Sequence, residues 1–189
     1  MAVDFRGHGE SQAARKSFGL FEARDAQAAM QWIKQNRPRS KIGVIGVSLG
    51  GAASLLGEEG PLPVDAMILQ AVYPDIDRAI RNRLRAKGGS IFAAILTRML
   101  TYQSPVLYDV WPASISPISA ARTFKKPVLV IGGGNDVYTP PSESMQLSQS
   151  FPGQHDLWIV KGLSHDQLSS LNSLQYQKNV LDFFGKALK

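Results

Sequence analysis

The sequence predicts an α/β fold, a mostly parallel sheet with helices packed on both faces. Apolar, β-compatible runs at Lys41–Ile45, Val64–Val72, Pro127–Ile131 and Leu157–Val160 alternate with helical patterns. These runs are continuous rather than alternating, as expected of strands covered on both sides. Ser48, Asp136 and His165 each fall just beyond the carboxyl end of one such run. Ligand sites of open parallel sheets lie at that rim.

Taken in order, residues 2–5 form a short β-compatible run that leads into the turn Arg6-Gly7-His8-Gly9-Glu10-Ser11. A helix is predicted from about Glu22 to Asn36, with Ala26, Met30 and Ile33 on its inner face and Pro38 as its stop. The strand at Lys41–Ile45 runs into Gly46-Val47-Ser48-Leu49-Gly50, with Gly51 behind, and then a small-residue helix at Ala52–Leu56 closed by Gly57 and Gly60-Pro61. A strand, a sharp turn with serine at its tip and a helix put that serine in a strained conformation, and glycines two positions before and after relieve the crowding. The run Val64–Val72 ends at Tyr73-Pro74-Asp75. Pro127–Ile131 leads into Gly132-Gly133-Gly134-Asn135-Asp136, where the glycines allow an abrupt change of direction. Pro140-Pro141 opens a helix to about Ser150. The last strand, Leu157–Val160, is followed by Gly162-Leu163-Ser164-His165 and a closing helix with Leu168, Leu171, Leu174, Val180, Leu181 and Phe184 on one side.

Residues 75–126 break the alternation. They open with Arg78, Arg81, Arg83, Arg85 and Lys87, continue with an apolar helical run at Ile91–Leu100, and end with Ser104-Pro105, Trp111-Pro112 and Ser116-Pro117. An insertion above the rim reads as a small cap within a single domain of residues 1–189. Its apolar run either lines an acyl pocket or packs on the body. Its basic cluster is either a solvated helix face or a contact for an acidic group or a membrane surface.

Composition narrows the function classes. A hydrophobic share of 44% and a charged share of 19% are those of a soluble globule. The absence of cysteine excludes disulfides and thiolate metal sites, and three histidines without ligand spacing give no zinc site. No run is long and apolar enough for a membrane span, and the first residues carry no secretory signature, so a cytoplasmic location is expected. The net charge of +6 comes with no nucleic-acid-binding motif.

A serine hydroxyl needs a base to take its proton, imidazole does this best near neutral pH, and a carboxylate orients the imidazole. His165 and Asp136 stand at the same rim as Ser48, in the chain order Ser…Asp…His. Asp75 also follows a strand and is a second candidate for the acid. Asp166 points away from its neighbour's ring, His8 reads as a turn residue at the pocket edge, and His155 reads as exposed at the far end of the last strand.

Four motifs carry a resemblance. Asp4-Phe5-Arg6-Gly7-His8-Gly9-Glu10-Ser11, Gly46-Val47-Ser48-Leu49-Gly50-Gly51, Gly134-Asn135-Asp136 with Pro140, and Gly162-Leu163-Ser164-His165 lie in this order along nearly the whole chain. Together they resemble the α/β-hydrolases of the serine esterase/lipase and serine aminopeptidase-like group. The resemblance implies Ser48 as nucleophile, His165 as general base and then acid, Asp136 as orienting carboxylate and the Leu49 backbone N–H as one oxyanion donor. It implies a small-molecule carboxylic ester as substrate and an acyl-enzyme without a cofactor. The same triad also serves amidases and peptidases, and a catalytically silent binding domain is the third reading.

The chain begins at what resembles the family's fourth strand. The resemblance therefore implies an N-terminally truncated sheet without the loop that normally supplies the second oxyanion amide, or a start at what was an internal Met1. Residues 2–5 are then expected either to pair directly with the strand at Ile42–Val47 or to detach and leave its edge open. An open edge is a template for another chain, so a homodimer through that edge is expected.

Overall fold

The computed structural model describes residues 1–12, 14–103, 105–106 and 110–189, the side chain of Phe92 excepted. Ser104 of the expected proline- and serine-rich stretch lies outside them. The elements, in chain order, are α1 (Leu20–Asn36), β1 (Gly43–Val47), α2 (Leu49–Leu55), β2 (Ala66–Gln70), α3 (Ile76–Thr101), a 3₁₀ turn (Pro112–Ser114), α4 (Pro117–Ala121), β3 (Val128–Gly133), α5 (Pro141–Gln149), β4 (His155–Val160), α6 (His165–Ser169) and α7 (Leu174–Ala187). The strands pair in parallel in the order β1-β2-β3-β4.

Both faces of this sheet are covered. On one, Met67, Leu69, Val128 and Val130 meet Ala23, Ala26 and Met30 of α1, Ala52 and Leu55 of α2 and Leu147 of α5. On the other, Ala66, Ile68, Leu129 and Ile131 meet Leu168 of α6 and Phe183 of α7. Successive residues of β2 and β3 thus feed opposite cores, which is why these strands are apolar throughout except at Gln70, the last residue of β2. Ile76, Ala79, Val110, Ile115, Ala121 and Phe124 root the 75–126 segment in the first core.

α1 begins two residues before the expected start. Glu22 is fully buried, and its carboxylate accepts from the Ser17 and Gly19 amides and the Ser17 hydroxyl, which fixes the first turn. The Arg6 guanidinium clamps Asp25 of α1 at 2.7 Å, holding the turn at residues 6–11 onto that helix.

Of the two arrangements expected for residues 2–5 the structure has the second, and two other expectations change. Residues 2–5 form no strand. They detach, and β1 lies at the edge of the sheet, beside a groove of about 490 Å³ shared with Val3, Phe5 and Ile33. The closing helix is two helices, α6 and α7, and Leu174 and Leu181 are exposed, because Tyr176, Val180, Phe183, Phe184 and Ala187 form the stripe that meets the sheet. α3 is broken at Gly89 (φ 81°, ψ 176°), and in the Ile91–Leu100 run Ile91, Ile95 and Met99 neither line a pocket nor pack on the body but are exposed, while Ala93 and Thr97 are buried. No helix among the described residues is long and apolar enough to cross a membrane.

Candidate active site

Ser48 links β1 to α2 with φ 47° and ψ −110°, a region that β-carbon-bearing residues rarely occupy. Its amide donates to the Gln70 carbonyl at 2.7 Å, holding the turn against β2. A serine at a helix N-cap ordinarily accepts from the first-turn amides. Here the hydroxyl makes no such bond and faces His165 instead. Leu49 is the first residue of α2, where N–H groups lack intrahelical partners.

The crowding at this turn is not where the symmetric spacing of glycines puts it. A Cβ on Gly46 lies 2.5 Å from Gly51 Cα, and one on Gly51 lies 2.2 Å from Val72 Cγ2, whereas one on Gly50 meets only Phe5 at 3.7 Å. The tight pair is therefore Gly46 and Gly51.

Ser48, His165 and Asp136 come together as expected. His165 Nε2 stands 3.1 Å from Ser48 Oγ, and Nδ1 stands 2.7 Å from Asp136 Oδ2. The Asp136 side chain is 0% exposed and that of His165 is 11%. Asp136 is stabilised within its own turn, because Oδ1 accepts from the Tyr138 and Thr139 amides, each at 2.8 Å. His165 opens α6 behind Ser164, whose hydroxyl caps the helix through the Gln167 amide.

The acid and histidine loops lie against each other. Asn135 N–H donates to the Leu163 carbonyl at 2.9 Å, and Gly134 N–H to the Val160 carbonyl at 2.9 Å. A Cβ on Gly133 would meet Leu163 O at 2.5 Å. Gly132, Gly133 and Gly134 have no positive φ, so their expected role in reversing the chain gives way to close approach.

The other candidates lie outside this chain of hydrogen bonds. Asp75 caps α3, accepting from Arg78 N–H at 2.8 Å and pairing with its guanidinium at 3.2 Å. Asp166 is exposed. His8 Nδ1 stands 3.1 Å from the Arg6 carbonyl, and the exposed His155 opens β4 with Nδ1 2.9 Å from the Gly153 carbonyl.

The structure adds neighbours that the sequence reading lacked. The Tyr138 ring meets His165 edge to face at 5.6 Å, and the Arg83 guanidinium covers that ring at 5.7 Å. Asn82 donates to both the Tyr138 carbonyl and Glu143 Oε1, which joins α3 to the acid loop and α5. Burial raises the Glu143 pKa above its ordinary 4.5, against the Asn82 hydrogen bond that lowers it. Gln70 Nε2 donates to the Leu168 carbonyl and ties β2 to α6. The local signal that was available is the aspartate followed at i+2 and i+3 by amides it can accept from. The Arg83–Tyr138–His165 stack joins distant segments and has no local pattern.

A family model described as serine aminopeptidase, S33, matches residues 1–114. The YqkD protein of Bacillus subtilis (strain 168) is 26% identical over 186 residues, which cover 97% of this chain and 61% of that protein. Esterase Pf2001 of Pyrococcus furiosus superposes with a TM-score of 0.72 at 20% identity, covering 98% of this chain and 70% of that one. An α/β fold family hydrolase from Bacillus anthracis str. Sterne superposes at 0.62 with 14% identity, covering 98% and 81%. The fold is that of the α/β-hydrolases.

Proposed function

The chain belongs to the serine aminopeptidase, S33, family, and from that premise we propose that it is a serine hydrolase cleaving carboxylic esters through an acyl-enzyme on Ser48. The observation that carries this is the continuous path Ser48 Oγ–His165 Nε2/Nδ1–Asp136 Oδ2, at 3.1 and 2.7 Å. The Asp136 carboxylate accepts a hydrogen bond from Nδ1–H, which keeps the proton on Nδ1 and leaves the Nε2 lone pair toward the serine. As Oγ bonds to the ester carbonyl carbon, its proton passes to Nε2 and the carbonyl electron pair moves onto oxygen. The Leu49 N–H, at the positive end of α2, donates to that oxyanion. Collapse breaks the bond to the alkoxy group, which leaves with the proton from Nε2. Water then repeats the sequence on the acyl-enzyme, releasing the carboxylic acid and restoring Ser48.

In this reading residues 75–126 are a cap over the rim. Amide cleavage by the same three residues is the second reading, and the family's description as a serine aminopeptidase favours it. Esters come first because an alkoxy group leaves more readily than an amine. The outer edge of β1, with no strand beside it among the described residues, is where a second copy is expected to add one. A monomer by size-exclusion chromatography with light scattering at micromolar concentration sinks that dimer.

The test of the activity is Ser48→Ala. The variant is expected to keep its circular dichroism spectrum while losing hydrolysis of p-nitrophenyl butyrate and labelling by a fluorophosphonate probe. Turnover equal to the parent's refutes the serine mechanism. Rates on an aminoacyl p-nitroanilide against those on the ester separate the two readings.

A further inference from the structure

We propose that α3, through the apolar face beyond its break at Gly89 and the basic residues on both sides of that break, docks the protein peripherally on an anionic lipid surface. The first observation is the placement of charge. The chain holds 21 Lys and Arg against 15 Asp and Glu, and residues 78–108 hold Arg78, Arg81, Arg83, Arg85, Lys87, Arg98 and no acidic residue. The rest of the chain is therefore balanced at 15 of each sign, and the whole net charge of +6 belongs to this one segment. Arg78 is taken up by Asp75, and Arg83 lies over Tyr138. Arg81, Arg85, Lys87 and Arg98 are exposed, and among the described residues none of these four is in a salt bridge.

The second observation is that this helix faces the wrong way for a helix serving only the core. Its inward stripe is Ala93, Thr97 and Thr101, small or hydroxylated, with Thr97 bonded back to the Ala93 carbonyl and the Thr101 hydroxyl buried without a partner among the described residues. Its outward stripe is Ile91, Ile95 and Met99, spaced four apart and 82%, 65% and 57% exposed. Tyr102 and Val106 continue the exposed apolar surface past the end of the helix. A helix packed only on a body turns its large aliphatic side chains inward. This one offers them to a second apolar phase, with Arg98 on the same outward side.

The two observations together select the occupant. A purely apolar partner leaves the charge unexplained, and a nucleic acid leaves the aliphatic stripe unexplained. An anionic bilayer surface satisfies both, because the aliphatic side chains enter the headgroup region while Arg and Lys stay at the phosphates. With no described helix long and apolar enough to span, the contact is one of lying on the surface. Ser48 takes no part in it, so this inference stands or falls apart from the hydrolase reading.

The test is flotation of the full chain with vesicles of phosphatidylcholine alone or mixed with phosphatidylglycerol. The protein is expected to float with the mixed vesicles, to stay behind with phosphatidylcholine, and to be released by salt. Arg85→Gln with Lys87→Gln is expected to weaken the partition about fivefold per charge removed. Ile91→Glu with Ile95→Glu is expected to weaken it by about tenfold or more while the thermal melt is unchanged, because both side chains are exposed. Ser48→Ala is expected to float as the parent does. Failure to float with mixed vesicles overturns the proposal, as does undiminished flotation of the isoleucine variant. A dimer that the isoleucine variant dissolves, with no vesicle binding by either protein, overturns it in favour of a second copy.

Discussion

Gly50→Ala and Gly51→Ala, one residue apart in the same helix, are expected to change stability in opposite directions. At position 51 the new methyl lands 2.2 Å from Val72 Cγ2 and 3.0 Å from the Gly46 carbonyl oxygen, and Val72 is buried in the core. Overpacking of that kind costs about 1–3 kcal/mol. The gain in helix propensity, roughly 0.5–1 kcal/mol, offsets only part of it. At position 50 the nearest atom is Phe5 Cε2 at 3.7 Å, an ordinary contact, so the propensity gain stands alone. For a domain of this size each kcal/mol moves the melting temperature by about 2–4 °C. Gly50→Ala is thus expected to raise it by about 1–4 °C and Gly51→Ala to lower it by several degrees. Thermal unfolding followed by circular dichroism at one protein concentration decides the matter, and the Gly50→Ala variant is expected to keep its fluorophosphonate labelling. A drop for Gly50→Ala equal to that for Gly51→Ala refutes the reasoning, because the crowding is then symmetric about the serine.

Two further outcomes follow from the acid loop and its neighbour. Asp136→Asn is expected to lower turnover by about 10⁴-fold while the fold persists, since its remaining carbonyl oxygen still accepts from the Tyr138 and Thr139 amides. Steady-state kinetics check this, and loss of activity in Asp75→Asn instead moves the acid to the other strand. Glu143 is held above its ordinary pKa by burial, so the folded state favours its protonated form. Stability from this group is complete below about pH 4.5, its unfolded value, and declines as pH rises through the raised folded value. Glu143→Gln is accordingly expected to unfold at higher denaturant than the parent at neutral pH, with the difference vanishing below about pH 4.5. A constant difference across that range contradicts the titration of Glu143.

The elements that sequence read well are those whose signal is repeated along the chain. β2 up to Leu69 and β3 are continuous apolar runs because successive residues feed one of two cores, and α1 shows its inner face at Ala26 and Met30. The rim position of Ser48, Asp136 and His165 followed from where those strands end. Legibility failed where a residue's role depends on a distant partner. Leu174 and Leu181 look like the inner stripe until α7 is phased by its contacts with the sheet. Gly50 and Gly51 differ only through Phe5 and Val72, which lie elsewhere in the chain. Ile91, Ile95 and Met99 have the spacing of a core face, and nothing local says that Ala93, Thr97 and Thr101 take that place instead.

The site's geometry is separable from whatever covers the open edge of β1. The restraints on Ser48 among the described residues include the Gln70 carbonyl that holds its amide, the contact of Gly46 with Gly51, the packing of Gly51 on Val72, and His165 facing its hydroxyl. The register of Val47 with Gln70 sets the end of β1 from β2, one strand further in. Of the residues bordering the edge groove, Met1 to Val3 and Ile33 are in none of these contacts, while Val47 and Gly50 line the groove and flank Ser48. A strand added along β1 therefore reaches the Ser48 turn only through Val47 and Gly50, and the Ser48–His165–Asp136 path, held from β2 and His165, is expected to persist. Activity that tracks assembly would accordingly point to a group brought to the rim from the added chain, and not to any realignment of the serine.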